Sequence, residues 1–212
     1  NGLIAIGLEE GDVLGWVTMS QGNEDILMTT ARGRTSRFRQ EEVRAMGRPA
    51  SGVIGINLDT EDQVVGMGLV ESGASLLVVT SKGFGKRTML DEYPTKGRAT
   101  SGVITIKLRP KDRVASALVV RDTSLLTIIT ASGIVMRTLA EGIARLGRST
   151  QGVIVHNLGS GDKVAGVSCE EPENGNGASL DEDGEMRVLA SPEFDYPVGG
   201  EESPESPPVN GE

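Results

Sequence analysis

The phrase "GRPASGVIGINL" at 47–58 returns as "GRATSGVITIKL" at 97–108 and as "GRSTQGVIVHNL" at 147–158. A phrase kept at a spacing of fifty makes the chain an array of supersecondary units, each too small to bury a core alone and each leaning on its neighbours. The same ruler aligns Gly2, Gly52, Gly102 and Gly152, each followed by Leu or Val and then Ile. It also aligns Asp12, Asp62, Asp112 and Asp162, the trio Gly33, Gly83 and Gly133, and the trio Arg37, Arg87 and Arg137.

Within one unit the alternation and the β-branched runs predict four strands: "GVIGINL" (52–58), "QVVGMGLV" (63–70), "SLLVVTS" (75–81) and "FGKRTMLDEY" (84–93). Turn-forming stretches at 59–62, 72–73 and 82–83 separate them. A helix-pair repeat is disfavoured by runs such as "LLVVT" and "LLTIIT" and by the recurring glycines. The expected fold is therefore all-β, with four-stranded blades of the propeller type. The ruler divides the chain into blade repeats at 1–51, 52–101 and 102–151, the start of a further blade at 152–168, and a tail at 169–212. It opens inside a repeat and reads as a piece of a longer polypeptide with an incomplete ring, whose open sheet edges are a stability risk.

Formal net charge is −9, with 30 Asp and Glu against 21 Lys and Arg. The average conceals two populations. Residues 169–212 hold 13 acidic side chains and one basic, Arg187, leaving 17 acidic and 20 basic in residues 1–168, a net of +3. Within that body the cations are segregated by repeat position: segments 31–48, 81–98 and 131–148 together carry 14 Lys and Arg against 5 Asp and Glu. Equivalent positions of successive blades share a rim, so these residues predict a curved basic track for a polyanion. The candidate contacts are Arg32, Arg34, Arg37, Arg39 and Arg48, then Lys82, Lys86, Arg87, Lys96 and Arg98, then Arg137, Arg145 and Arg148. Only Phe38, Phe84 and Tyr93 accompany them. Single-strand binders need aromatic stacking platforms, so the expected partner is duplex DNA contacted through its backbone.

No apolar run approaches the roughly 18 residues of a membrane helix, and Cys169 is the only cysteine. Both fit a cytoplasmic protein. With one histidine, His156, nucleophilic triads lack their base, and the position aligns with Ile56 and Ile106 as a packing residue. "DEDGE" (181–185) misplaces the glycine and the final ligand of a calcium loop, so no metal is expected. Residues 170–212 are expected to be disordered apart from "MRVLA" (186–190), read as one strand closing the last blade. Tethered carboxylates of this tail could compete with DNA for the basic rim.

At "GFGKRTMLDEYPTKGRATSGVITIKL" (83–108) the sequence resembles the C-terminal domain of DNA gyrase A, and the resemblance extends over residues 1–168. It implies a β-pinwheel, a propeller-like disc whose blades exchange strands with their neighbours. It also implies DNA wrapping in support of ATP-dependent negative supercoiling in a bacterial, nucleoid-associated setting. The family's wrapping box, QRRGGKG, is present only in degenerate forms, "MGRPASG" (46–52), "KGRATSG" (96–102) and "LGRSTQG" (146–152). The resemblance thus points to a non-catalytic stretch of late blades. ATP and Mg²⁺ would be used elsewhere in a parent type II topoisomerase that includes gyrase B and a second copy of gyrase A. Neither Tyr93 nor Tyr196 has the context of the family's catalytic tyrosine. The related domain of topoisomerase IV is an alternative, against which "EYPTKGRAT" and the well-kept period weigh. A propeller-type module binding an acidic protein is a second.

Overall fold

The computed structural model describes residues 2–170 and two short strands, Ser179–Leu180 and Met186–Arg187. The chain separates into a unit ending at Pro172 and a second beginning at Glu173. The first unit is built from three antiparallel sheets, each founded on a hairpin: β1 (Asp25–Thr30) with β2 (Arg34–Arg39), β4 (Ser75–Thr80) with β5 (Phe84–Met89), and β8 (Leu125–Thr130) with β9 (Val135–Leu139). The hairpin turns share one geometry. Gly33, Gly83 and Gly133 have φ of 78°, 79° and 86°, and each donates its N–H to the carbonyl of the threonine three residues earlier. Such a left-handed residue suits the right-handed twist of the flanking strands, and glycine takes it without strain. At Gly83 a side chain is excluded twice, since a Cβ would also collide with the His156 carbonyl.

The remaining strands come from later in the chain. β3 (Val64–Leu69) pairs with β1, and β6 (Val103–Ile104) pairs with β2, giving the order β3-β1-β2-β6. β7 (Val114–Val120) and β10 (Val153–Ile154) occupy the same places in the second sheet, β10-β5-β4-β7. β11 (Val164–Glu170) joins β8 in the third, where β9 is the other edge. The four strands read within 52–93 are thus divided between two sheets. The segment 63–70 supplies β3 to the first, 75–81 and 84–93 supply β4 and β5 to the second, and 52–58 contributes one parallel bridge, Ile56 to Thr100. A sequence period shows which segments recur, whereas backbone pairing depends on which edges meet in space. The stretch 84–93 also ends early, β5 giving way to a 3₁₀ turn at Leu90–Glu92.

β4, "SLLVVT", is buried along its whole length because both of its faces are covered. Leu76 and Val78 enter a core with Leu27, Leu90, Tyr93, Ile106 and Val114, while Leu77 and Val79 enter another with Val120, Leu126, Ile128 and Ile143. Alternation by two sends successive side chains to opposite faces, so one strand serves both interfaces between sheets. Aspartates at the recurring position lock the seams. Asp62 accepts from Arg32 N at 3.0 Å, Asp112 from Lys82 N at 3.2 Å and Asp162 from Ser132 N at 3.0 Å, each tying a seam turn to a hairpin turn about thirty residues earlier.

Residues 13–19 align by fifty with β3, β7 and β11 but pair with no strand among the described residues, and Val13, Val17 and Met19 stand exposed. In the second unit, β12 (Ser179–Leu180) and β13 (Met186–Arg187) form a two-stranded antiparallel sheet of their own. Of the strand expected at 186–190, Met186 and Arg187 are described and pair antiparallel with Ser179 and Leu180; residues 188–190 lie outside the described residues. The rest of the tail, with its expected disorder and rim competition, lies outside the described residues.

Candidate nucleic-acid interface

The structure separates the candidate cations into buried clamps and surface charges. Lys86 is 0% exposed. Its Nζ donates to the carbonyls of Gly147 and Arg148, and burial pushes its pKa down to about 8 while Glu92 acts the other way. Arg87 is 5% exposed and donates to the carbonyls of Ile143 (2.8 Å) and Glu141 (3.0 Å), with Asp122 as its counter-ion. Arg37 does the same one repeat earlier, donating to Leu90 O (3.0 Å) and Tyr93 O (3.3 Å) beside Asp25. Each guanidinium satisfies carbonyls at a 3₁₀ turn that would otherwise lack donors. Lys86 and Arg87 are thereby corrected from surface contacts to structural cations: following repeats pack over them.

Arg137 holds the equivalent place in the third sheet, but no following turn among the described residues covers it, and it pairs with Glu170 at 2.8 Å on the surface. The phrase arginines are seam pins. Arg98 donates to Glu42 O (3.1 Å) and Ile54 O (3.0 Å), and Arg148 to Ile104 O (3.4 Å) above the Tyr93 ring. Arg34 fixes β6 through Ser101 O (2.6 Å) and Gly102 O (2.9 Å). Arg145 shares Asp122 with Arg87, and hydrogen bonds from Arg145 and then Arg87 hold that carboxyl below its ordinary range.

Two exposed groups remain, at opposite ends of the hairpins. At the open end lie Arg39 and Lys96, the latter beside Thr95, which donates to Asp25; these and Arg48, in the loop after Glu42, are exposed and form no ion pair among the described residues. At the turn end lie Arg32, donating to Thr60 O (2.7 Å), and Lys82, donating to Pro110 O (2.6 Å). A six-residue strand separates the ends by roughly 17 Å, so the predicted single stripe is two bands. Sequence reasoning passed over Arg44, exposed in the loop after Glu42, and Lys107, Arg109, Lys111, Arg113 and Lys163, grouped around the turn end. The available signal was local density: "KLRPKDR" (107–113) is basic at four of seven positions. Tyr93 is buried, joined by its Oη to Thr105 Oγ1 at 3.0 Å, and burial pushes its pKa up to about 12. His156 is half-buried, whereas Ile56 and Ile106 at the aligned positions are fully buried.

A family model described as DNA gyrase C-terminal domain, beta-propeller, matches residues 24–71, 74–121 and 125–169. Each match spans one hairpin and the strand that joins it from the next repeat, the grouping seen in the sheets. The DNA gyrase A protein of Klebsiella oxytoca is 44% identical over 52 residues, covering 24% of this chain and 6% of the relative. That of Staphylococcus epidermidis is 47% identical over 53 residues, 25% of this chain and again 6% of the relative. Among solved structures, the C-terminal domain of DNA topoisomerase IV aligns with a TM-score of 0.73 at 24% identity, covering 79% of this chain and 53% of that one. The DNA gyrase A C-terminal domain aligns with a TM-score of 0.63 at 24% identity, covering 69% and 50%. These two likenesses are of fold.

Proposed function

The chain belongs to the DNA gyrase C-terminal domain family, and from that premise we propose that it binds duplex DNA on its exposed basic bands and wraps it, supporting negative supercoiling by a gyrase. The observation that carries the reading is the set of exposed cations without a carboxylate partner among the described residues, Arg39, Arg44 and Arg48 of the first repeat and Lys96 of the second. The buried and seam cations are tied to carbonyls or acids, whereas the side chains of these four make no hydrogen bond or ion pair among the described residues. A row of unspent positive charge on a stacked array suits the regularly spaced phosphates of a duplex, and each contact releases counterions. In this reading the whole enzyme supplies gyrase B, a second copy of gyrase A, ATP and Mg²⁺, and the setting is the bacterial cytoplasm.

The test is titration of the full chain with random-sequence duplex at several salt concentrations, together with ligation of nicked circles in its presence. Steep salt dependence, weak sequence preference and a shift in linking number are expected. Folded protein that leaves DNA free at low salt would overturn the reading and favour an acidic protein as the partner.

A further inference from the structure

The turn at 107–113, "KLRPKDR", stands where "NLDTEDQ" (57–63) and "NLGSGDK" (157–163) stand in the neighbouring repeats. All three turns are built alike. Asp62, Asp112 and Asp162 close them through N–H bonds to the carbonyls of Asp59 (3.0 Å), Arg109 (3.1 Å) and Gly159 (3.1 Å), and the three carboxylates hold the hairpin turns as described above. The same backbone therefore forms whether the other positions are acidic, basic or neutral. The turn's backbone does not require positive charge, although Arg109 and Arg113 also donate to the carbonyls of Gln151 and Glu61; the side chains of Lys107 and Lys111 have no such contact among the described residues.

The backbone makes the point more sharply at Lys111. It lies in the left-handed region at φ 57°, as does Glu61 at 61°, while the repeats on either side place Gly11 (87°) and Gly161 (79°) there. Glycine takes this conformation freely and lysine does so under strain, so the side chain is kept against the local preference. Such an outlier points to function when the side chain has no structural task. Lys111 is exposed and has no partner among the described residues.

Its neighbours are ordered for the same use. The Arg109 guanidinium lies 3.5 Å from the centroid of Phe84 and donates to Gln151 O at 3.1 Å, which fixes it before any ligand arrives. Lys82 is pinned to Pro110 O, and Lys107 is exposed on the same turn. The one acid present, Asp112, is buried and spends its Oδ1 on Ser81, Lys82 and Arg113. At the equivalent positions the first repeat has Arg32, Asn57, Asp59 and Glu61 and the third has Ser132, Asn157, Gly159 and Gly161. The charge is concentrated at one turn alone.

We infer that turn 107–113, with Lys82 beside it, is a localised contact for the phosphate backbone of duplex DNA; this rests on the duplex-binding reading above and places a principal footprint at the turn end of the second hairpin. Phe84, the aromatic of the cluster, is covered by Arg109. That leaves no open stacking platform for a single strand.

The experiment compares the full wild-type chain with Lys111→Gly, Arg109→Gln and Glu61→Gly, by duplex titration across salt and by urea unfolding. Lys111→Gly relieves the backbone, so its unfolding midpoint should hold or rise. Its affinity at 0.1 M salt should nevertheless fall about five- to tenfold, with the slope of log K on log salt reduced by about 0.9. Arg109→Gln should lose a similar amount. Glu61→Gly makes the same backbone change at the acidic turn and should bind as well as wild type or better. Wild-type binding with an unchanged Lys111→Gly would overturn the footprint and leave duplex binding intact. Lower stability of Lys111→Gly would assign the lysine to the fold and overturn it too. Absence of wild-type binding would remove the duplex reading itself, and this footprint with it.

Discussion

Arg87 Nε donates to the carbonyl oxygen of Ile143, fifty-six residues further along the chain, at 2.8 Å. The bond joins the second sheet to the turn that precedes the third seam, and Asp122 balances the charge while also holding Arg145. Three parts of the repeat array converge on one guanidinium. A sequence position that looks like a surface contact is therefore an interface strut.

Removing the counter-ion should show this. Asp122→Ala leaves a buried cation with only carbonyl partners, and a loss of about 1–2 kcal/mol is expected from the unfolding midpoint, at the low end because the carboxylate is half exposed. The Asp122 carboxyl titrates below its ordinary range in the folded chain. Its contribution is present above the unfolded value and is lost as pH falls through the lower folded one. Urea midpoints measured from pH 5 downward should therefore drop more steeply for wild type than for the variant.

Lys86 makes a prediction of opposite sign. Its folded pKa is pushed from 10.5 to about 8, so between those values the unfolded chain binds the extra proton and stability rises with pH. Urea midpoints at intervals from about pH 8 to pH 10 should climb for wild type and stay flat for Lys86→Met. DNA affinity offers a second readout. Lys96→Gln should reduce the salt slope by about 0.9, whereas folded Lys86→Met should leave the slope unchanged.

Tyr93 limits the gain. Burial raises its pKa from 10.0 to about 12, so above pH 10 the unfolded chain loses a proton that the folded chain keeps, and stability falls. In a Tyr196→Phe background, absorbance of tyrosinate should appear only near pH 12 or together with unfolding. Ionisation at pH 10 in folded protein would contradict the burial.

Gly83 and Gly133 form a matched pair. Both have positive φ, 79° and 86°, but a Cβ at Gly83 meets the His156 carbonyl while one at Gly133 meets nothing within 4 Å. Gly133→Ala should cost about 1 kcal/mol of backbone strain. Gly83→Ala should cost more, because the segment at His156–Leu158 must shift to admit the methyl group. Equal losses by urea unfolding would show that the contact is soft.

The sequence alone determined the repeat, the identity of most strands and the hairpin turns. These rest on local chemistry: β-branched alternation, a glycine at the left-handed position of each hairpin turn, and a spacing of fifty between "GVI" phrases. It also showed that the Lys and Arg residues concentrate in one third of each unit. The tertiary structure decided which strands pair, because β3 and β6 reach the first hairpin from one and two repeats ahead, and the period is the same whether strands stay or exchange. It decided too which cations are available. Arg37, Arg87 and Arg137 are identical on the ruler, yet two lie against the next repeat's carbonyls and the third is exposed beside Glu170. Whether a charge faces solvent or an orphan carbonyl is set by what packs over it, and in this chain that neighbour is half a hundred residues away.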